Sequence, residues 1–277
     1  MKIVLSSGTL YNYPLIKVSK IAKEVGYDGL EVVIGQEFHD SDGVELLQQV
    51  VEVIPVYSLH APFYPIDGWG YPIKSLLRTV VLAHLFSIPL VNFHPPSWAY
   101  LEFSFKRWLY KIKDFQKEVG KGNVMISIEN MPYITKHRIR FNPHILKSPE
   151  DMIDFINKRN LYLTFDCTHM GTAHTNFIED FFKFYHTNRI RNIHFSDYGY
   201  GREHLFPGRG VLPLTRFLNH LKHTSYNFTL TLELVPSELP KEEPLIKQTL
   251  MDILRYLRKE TVYFEEKSIR RGFISNQ

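Results

Sequence analysis

Apolar residues recur along this chain in two alternating rhythms. Short β-branched or aromatic runs with a period near two predict strands at Ile3–Ser6, Gly29–Val33, Val56–His60, Leu90–His94, Val124–Glu129, Tyr162–Asp166, Asn192–Phe195 and Thr229–Glu233. Between them, spacing near 3.6 predicts helices at Pro14–Val25, Val44–Val51, Pro72–Phe86, Phe103–Val119, Pro149–Lys158, Asn176–His186, Leu214–Lys222 and Pro244–Lys259. Some starts are punctuated, as at Ser148-Pro149-Glu150, where the serine can cap and the proline suits the first turn. Strict alternation without a linker predicts a single (β/α)8 TIM barrel over residues 1–260. A polar, basic tail follows at 261–277, with Lys267, Arg270 and Arg271. The competing architecture, a doubly wound open sheet, would normally carry a glycine-rich phosphate loop after an early strand. No such loop is present.

Six consecutive predicted strands finish on or beside a metal-ligand side chain: His60, His94, Glu129, Asp166, His194 and Glu233. Their spacing of 28 to 39 residues is about one βα unit each. In a barrel these strand ends converge on one mouth, where active sites sit. One histidine at a strand end is more often structural than a ligand. Six such groups at equivalent positions demand charge compensation, and a divalent cation is its simplest source. Mixed carboxylates and imidazoles favour zinc, manganese, cobalt or iron over magnesium or calcium.

Composition narrows the class. With 44% hydrophobic and 22% charged residues, the 277-residue chain has the make-up of a soluble globular protein. No apolar run approaches the roughly 18–20 residues of a membrane span, so no membrane partner is expected. The start, MKIVLSSGTL, has a strand pattern and too short an apolar part for a secretory signal. A lone cysteine, Cys167, excludes an intramolecular disulfide and fits a cytoplasmic location. The net charge of +4 permits a phosphate-bearing partner but is no nucleic-acid footprint.

The segments GYDGLEV (26–32), LHAPF (59–63), FHPP (93–96), IEN (128–130), FDCTHM (165–170), IHFSD (193–197), EHLFPGRG (203–210) and LELVP (232–236) resemble, in order and spacing, the xylose isomerase-like barrel superfamily. That superfamily includes sugar isomerases, sugar-phosphate and ketose epimerases, and endonuclease IV. The resemblance implies a shared metal held by Glu129, Asp166, His194 and Glu233. Its endonuclease IV branch implies a second ion at His60 and His94, and a third at His169 and His204. Arg202 replaces an aspartate expected for that third site, and Gly208-Arg209-Gly210 replaces Gly-Glu-Gly. One or two zinc, manganese or cobalt ions per chain are therefore expected, with the third argued against.

The chemistry implied is isomerisation or epimerisation of a sugar or sugar phosphate, with Glu129 and Glu233 exchanging the proton next to a metal-polarised carbonyl. Arg202 and Arg209 are candidates for a substrate anion, because guanidinium groups bind phosphate in bidentate fashion. Glu31 could reach a substrate hydroxyl or cap a turn. Trp98 could stack on a sugar, as could Phe63, Trp69 and Tyr198, against the commoner role of packing. The alternatives are endonuclease IV-like cleavage of abasic-site DNA and a barrel that binds a polyol without turnover. Homo-oligomers are common among such barrels, and no stretch declares an interface.

Overall fold

In this computed structural model the described residues are 1–39, 43–136 and 139–261. The predicted tail, apart from Thr261, lies outside them. Eight strands form the closed barrel: β1 (Lys2–Ser6), β2 (Gly29–Val33), β3 (Val56–His60), β4 (Leu90–Phe93), β5 (Met125–Glu129), β6 (Tyr162–Asp166), β7 (Ile190–Phe195) and β8 (Thr229–Leu232). Each pairs in parallel with its sequence neighbours, and β1 closes on β8 through the register Lys2–Thr229 to Leu5–Leu232. The expected (β/α)8 barrel is therefore what forms.

The helices lie outside it: α1 (Leu15–Val25), α2 (Val44–Val53), α3 (Ile73–Leu85), α4 (Phe103–Lys111), α5 (Phe115–Glu118), α6 (Pro149–Lys158), α7 (Cys167–Gly171), α8 (Phe177–Tyr185), α9 (Leu214–Lys222) and α10 (Glu243–Thr261). The helix expected over 103–119 is two. Ile112 adopts extended backbone, and the Asp114 carboxylate restarts the chain by accepting from Lys117 N–H at 3.2 Å. Ser148 caps α6 by accepting from Asp151 N–H at 3.1 Å, with Pro149 in the first turn, as its sequence implies. Two short antiparallel hairpins, Ile134–Lys136 with Ile139–Phe141 and Asp197–Gly199 with Arg202–Leu205, extend loops at the C-terminal end of the barrel.

Outward strand residues meet the inner faces of the helices. Phe165 of β6 packs on Phe181 of α8 with ring centroids 5.3 Å apart, and Phe181 packs on Phe217 of α9 at 4.8 Å. All three are fully buried, and burial of each such ring stabilises by about 1.5–3 kcal/mol. Cys167 belongs to this core, where burial pushes its thiol well above the usual range.

Candidate metal centre

Strand alternation places His60, Glu129, Asp166 and His194 on the inner face of the barrel, with His94 and Glu233 one residue beyond β4 and β8. The predicted ligands therefore converge. Glu129 is their hub: its Oε2 lies 3.3 Å from His60 Nε2, 3.7 Å from His94 Nε2 and 3.6 Å from His194 Nδ1, and its Oε1 lies 3.1 Å from His169 Nδ1. His194 Nδ1 also lies 2.8 Å from Glu233 and 3.6 Å from Asp166. His169 and His204 face each other with ring centroids 5.2 Å apart.

Among the described residues, four sets of groups have donor atoms mutually within 4.8 Å: His60 with His94 and Glu129; Glu129 with Asp166 and His194; Asp166 with His169 and His204; and Glu31 with His194 and Glu233. Glu129 belongs to two of them. Both nitrogens of His194, Oδ2 of Asp166 and Oε1 of Glu31 are buried without a hydrogen bond, although oppositely charged partners lie close. Buried polar atoms are normally satisfied, so donors packed at contact distance without hydrogen-bond alignment fit a cation.

The orientation of each candidate ligand is built into its own segment. The Asp166 carboxylate caps the one-turn α7, accepting from His169 N–H at 2.6 Å through Oδ1 and leaving Oδ2 to the centre. Asn130 fixes the same strand end, accepting from Asp166 N–H at 2.8 Å. His60 Nδ1 is 2.8 Å from its acceptor, the Ala61 carbonyl, which turns Nε2 inward. His204 adopts left-handed backbone, with φ of 52°, and its N–H donates to Thr168 Oγ1 at 3.1 Å.

Beneath the candidate ligands lies a polar belt that strand-end reasoning missed. Asn92 donates to Glu129 Oε2 at 2.5 Å, Ser127 bonds Thr164 at 2.9 Å, and Thr231 donates to Asn192 Oδ1 at 2.8 Å. Glu31 occupies this layer: in register it pairs with Ser58, whereas Val33 pairs with His60. Fully buried, Glu31 accepts from Ser58 at 2.7 Å and Asn192 at 2.9 Å, and it lies 2.9 Å from His194 Nε2. It thus holds His194 from below rather than facing a substrate hydroxyl, and it caps no turn.

The fields are strong. Burial alone would lower the His169 pKa, but the charges of Asp166 and Glu129 outweigh it and raise it to about 10. His194 is likewise raised well above the usual range against burial, by Glu31, Glu233 and Glu129. Burial pushes Glu129 up, yet His194 and His94 hold it well below the usual carboxylate range. His94 is pushed well down by burial, which the Glu129 charge only partly offsets.

Other candidates sit elsewhere. Arg202 and Arg209 both pair with the buried Glu238, at 2.8 and 3.0 Å. Trp98 donates its indole N–H to the Asn142 carbonyl at 3.2 Å and packs on Phe141. Trp69 is core, edge-on to Phe38, and Tyr198 bonds His174. Only Phe63 of the proposed stacking aromatics borders the ligands, 5.4 Å from the His94 ring. Asp197, three residues after His194, accepts from the N–H groups of Tyr198, Gly208, Gly210 and Leu212 at 2.8–3.1 Å. A cavity of about 620 Å3 opens from Glu233 and His204 towards the loops after β1, β2 and β8.

Residues 19–257 match the family described as "Xylose isomerase-like TIM barrel". The chain belongs to that family. This xylose isomerase-like barrel is 27% identical to an uncharacterized protein of Mycobacterium leprae over 93% of its own length and 98% of that relative's. Among solved structures it is similar to the IolI protein with a bound zinc atom, at a TM-score of 0.69 and 16% identity, covering 95% of this chain and 100% of the other. It is also similar to a D-tagatose 3-epimerase-like protein, at a TM-score of 0.65 and 20% identity, with the same coverage. At these identities the solved structures speak to the fold, which agrees with the barrel described above.

Proposed function

We propose that this protein is a divalent-metal-dependent sugar isomerase or epimerase that removes and returns a proton beside a carbonyl. The observation that carries this reading is Glu233. Its carboxylate stands 2.8 Å from His194 and lines the 620 Å3 cavity, whereas Glu129 and Asp166 are sealed beneath. Similarity to the zinc-bound IolI protein and the D-tagatose 3-epimerase-like protein supports a metal and a sugar respectively. Glu129, Asp166, His194 and Glu233 would hold zinc, manganese or cobalt; the bound ion supplies polarisation of the carbonyl and offsets charge on its oxygens. Glu233 accepts the α-proton, being the carboxylate that both lines the cavity and stands beside His194. His194 and His204 flank it and keep it ionised: burial raises its pKa, and the two imidazoles bring it below the usual range. In an isomerisation Glu233 hands that proton on to the neighbouring carbon; in an epimerisation it keeps it, and Glu129, on β5, would deliver to the opposite face a proton loaded before the substrate binds. His60 and His94 complete a second ion's set with Glu129.

Metal-loaded protein in D2O should place deuterium at the carbon beside the carbonyl of a ketose, read by proton NMR. Replacing Glu233 with Gln should slow that exchange by about 10²–10⁴-fold. Absence of exchange from every member of a broad aldose and ketose panel would sink the proposal. Phosphodiester hydrolysis is the second reading, favoured by Glu129 belonging to two adjoining sets, as a bridging carboxylate of a two-ion site would. Nicking of an abasic-site duplex by zinc-loaded protein, without ketose exchange, would put it first.

A further inference from the structure

The 620 Å3 cavity is built with two unlike ends. Its polar end is Glu233 and His204. Its body is walled by Tyr11, Tyr13, Phe38, Phe63, Tyr64 and Leu234, and among the described residues its lining holds no lysine or arginine. Two other polar side chains of the wall are engaged by backbone. Glu37 accepts from Leu15 N–H at 3.1 Å through both carboxylate oxygens, capping α1, and Ser7 accepts from Val33 N–H at 2.8 Å. The two guanidinium groups in the loop after β7, Arg202 and Arg209, both pair with the one carboxylate of Glu238, and neither belongs to the cavity's lining. A phosphate here would meet the Glu37 and Glu233 carboxylates and aromatic rings. The volume falls within the roughly 300–1,000 Å3 of sites that enclose drug-sized ligands, and a free monosaccharide would leave much of the apolar wall wet.

Resting on the isomerase or epimerase reading, we propose that the substrate is an uncharged ketose or polyol bearing an apolar substituent, and that phosphorylated sugars are rejected. The hydroxylated head lies at Glu233 and His204, and the substituent lies along the Tyr11–Tyr13 and Phe63–Tyr64 wall. Aromatic walls suit this amphipathic shape, since they bury apolar surface without stranding polar groups.

The test uses fructose carrying three different groups on O6, a methyl ether, a benzyl ether and a phosphate ester, each titrated calorimetrically into the metal-loaded full chain. The benzyl ether should bind at least about tenfold tighter than the methyl ether, from the added aromatic burial, and the phosphate ester most weakly. Tyr11→Ala, at an exposed position, should collapse the benzyl-to-methyl ratio. A benzyl ether binding no tighter than the methyl ether, a phosphate ester matching the benzyl ether, or a ratio untouched by Tyr11→Ala overturns the assignment. Deuterium exchange into the same compounds reports separately on the reaction. Preference without exchange would fault the chemistry and leave the ligand class standing; exchange with a phosphate preference would do the reverse.

Discussion

Asp166 shows how one side chain can build part of a centre. It ends β6, caps α7 through Oδ1 and so fixes the backbone from which His169 projects, while Oδ2 stays without a hydrogen bond inside the ring of candidate ligands. Glu31 does comparable work one layer down. A carboxylate beneath a ligating imidazole fixes the ring's orientation and raises its basicity, and loss of such a partner typically weakens metal affinity 10–100-fold. Glu31→Gln keeps the volume and an oxygen for Ser58 or Asn192, so the fold should persist. Metal affinity, measured by competition with a chelating dye, should fall by about 10–100-fold. An unchanged affinity would mean that Glu31 serves only the polar belt.

At the scale of elements, α10 closes the helical ring against α1 through Lys17, Glu243, Lys247 and Glu24, each contact being 2.7 Å. The ammonium groups of Lys17 and Lys247, by hydrogen bonds, bring the Glu243 pKa down from 4.5 to about 2. A depressed acid contributes stability above its unfolded value and loses it as pH falls through the folded value. The urea midpoint of Glu243→Gln should therefore lie below wild type at neutral pH, with the gap closing between about pH 4.5 and 2 and shrinking in high salt. A pH-independent gap would assign the effect to helix propensity instead. Elements were the level most legible in the sequence, because eight apolar strands alternate with amphipathic helices. The break at Ile112–Asp114 was not, since its cause is a local choice by Asp114 and Glu118 to bond nearby backbone N–H groups. The convergence of His60, His94, Glu129, Asp166, His194 and Glu233 was legible from strand ends. The polar belt was legible in principle: Ser58, Asn92, Ser127, Thr164, Asn192 and Thr231 each stand two positions before a ligand, the period of a strand. The pairing of Arg202 and Arg209 with Glu238 was not, because it joins the loops after β7 and β8 at separations no local pattern encodes.

For the whole molecule, the ring of candidate ligands sets stability against function. Glu129 and Asp166 bring two carboxylates into a sealed space, Glu31 adds a third beneath them and Glu233 a fourth at the cavity, and His60, His169 and His194 offset them only while holding protons. Burying such charges costs several kcal/mol each before compensation, and protons shared among imidazoles compensate less rigidly than an ion held from several strands at once. A cation bound by β5, β6, β7 and β8 side chains would cross-link half the barrel, and a second at His60 and His94 would extend the link to β3 and β4. Binding to the folded chain alone contributes about 2.7 kcal/mol at a free concentration one hundred times Kd. For a chain of this size that corresponds to a rise in Tm of about 5–10 °C. Dialysis against EDTA should lower Tm by this amount, and zinc, manganese or cobalt should restore it with release of protons as the imidazoles become ligands. His60→Ala combined with His94→Ala should remove one ion from the restored stoichiometry and part of the gain, while Asp166→Asn should remove most of it. Equal Tm values with and without the ions, and no uptake in either state, would leave the buried carboxylates neutralised by protons alone and refute the metal assignment.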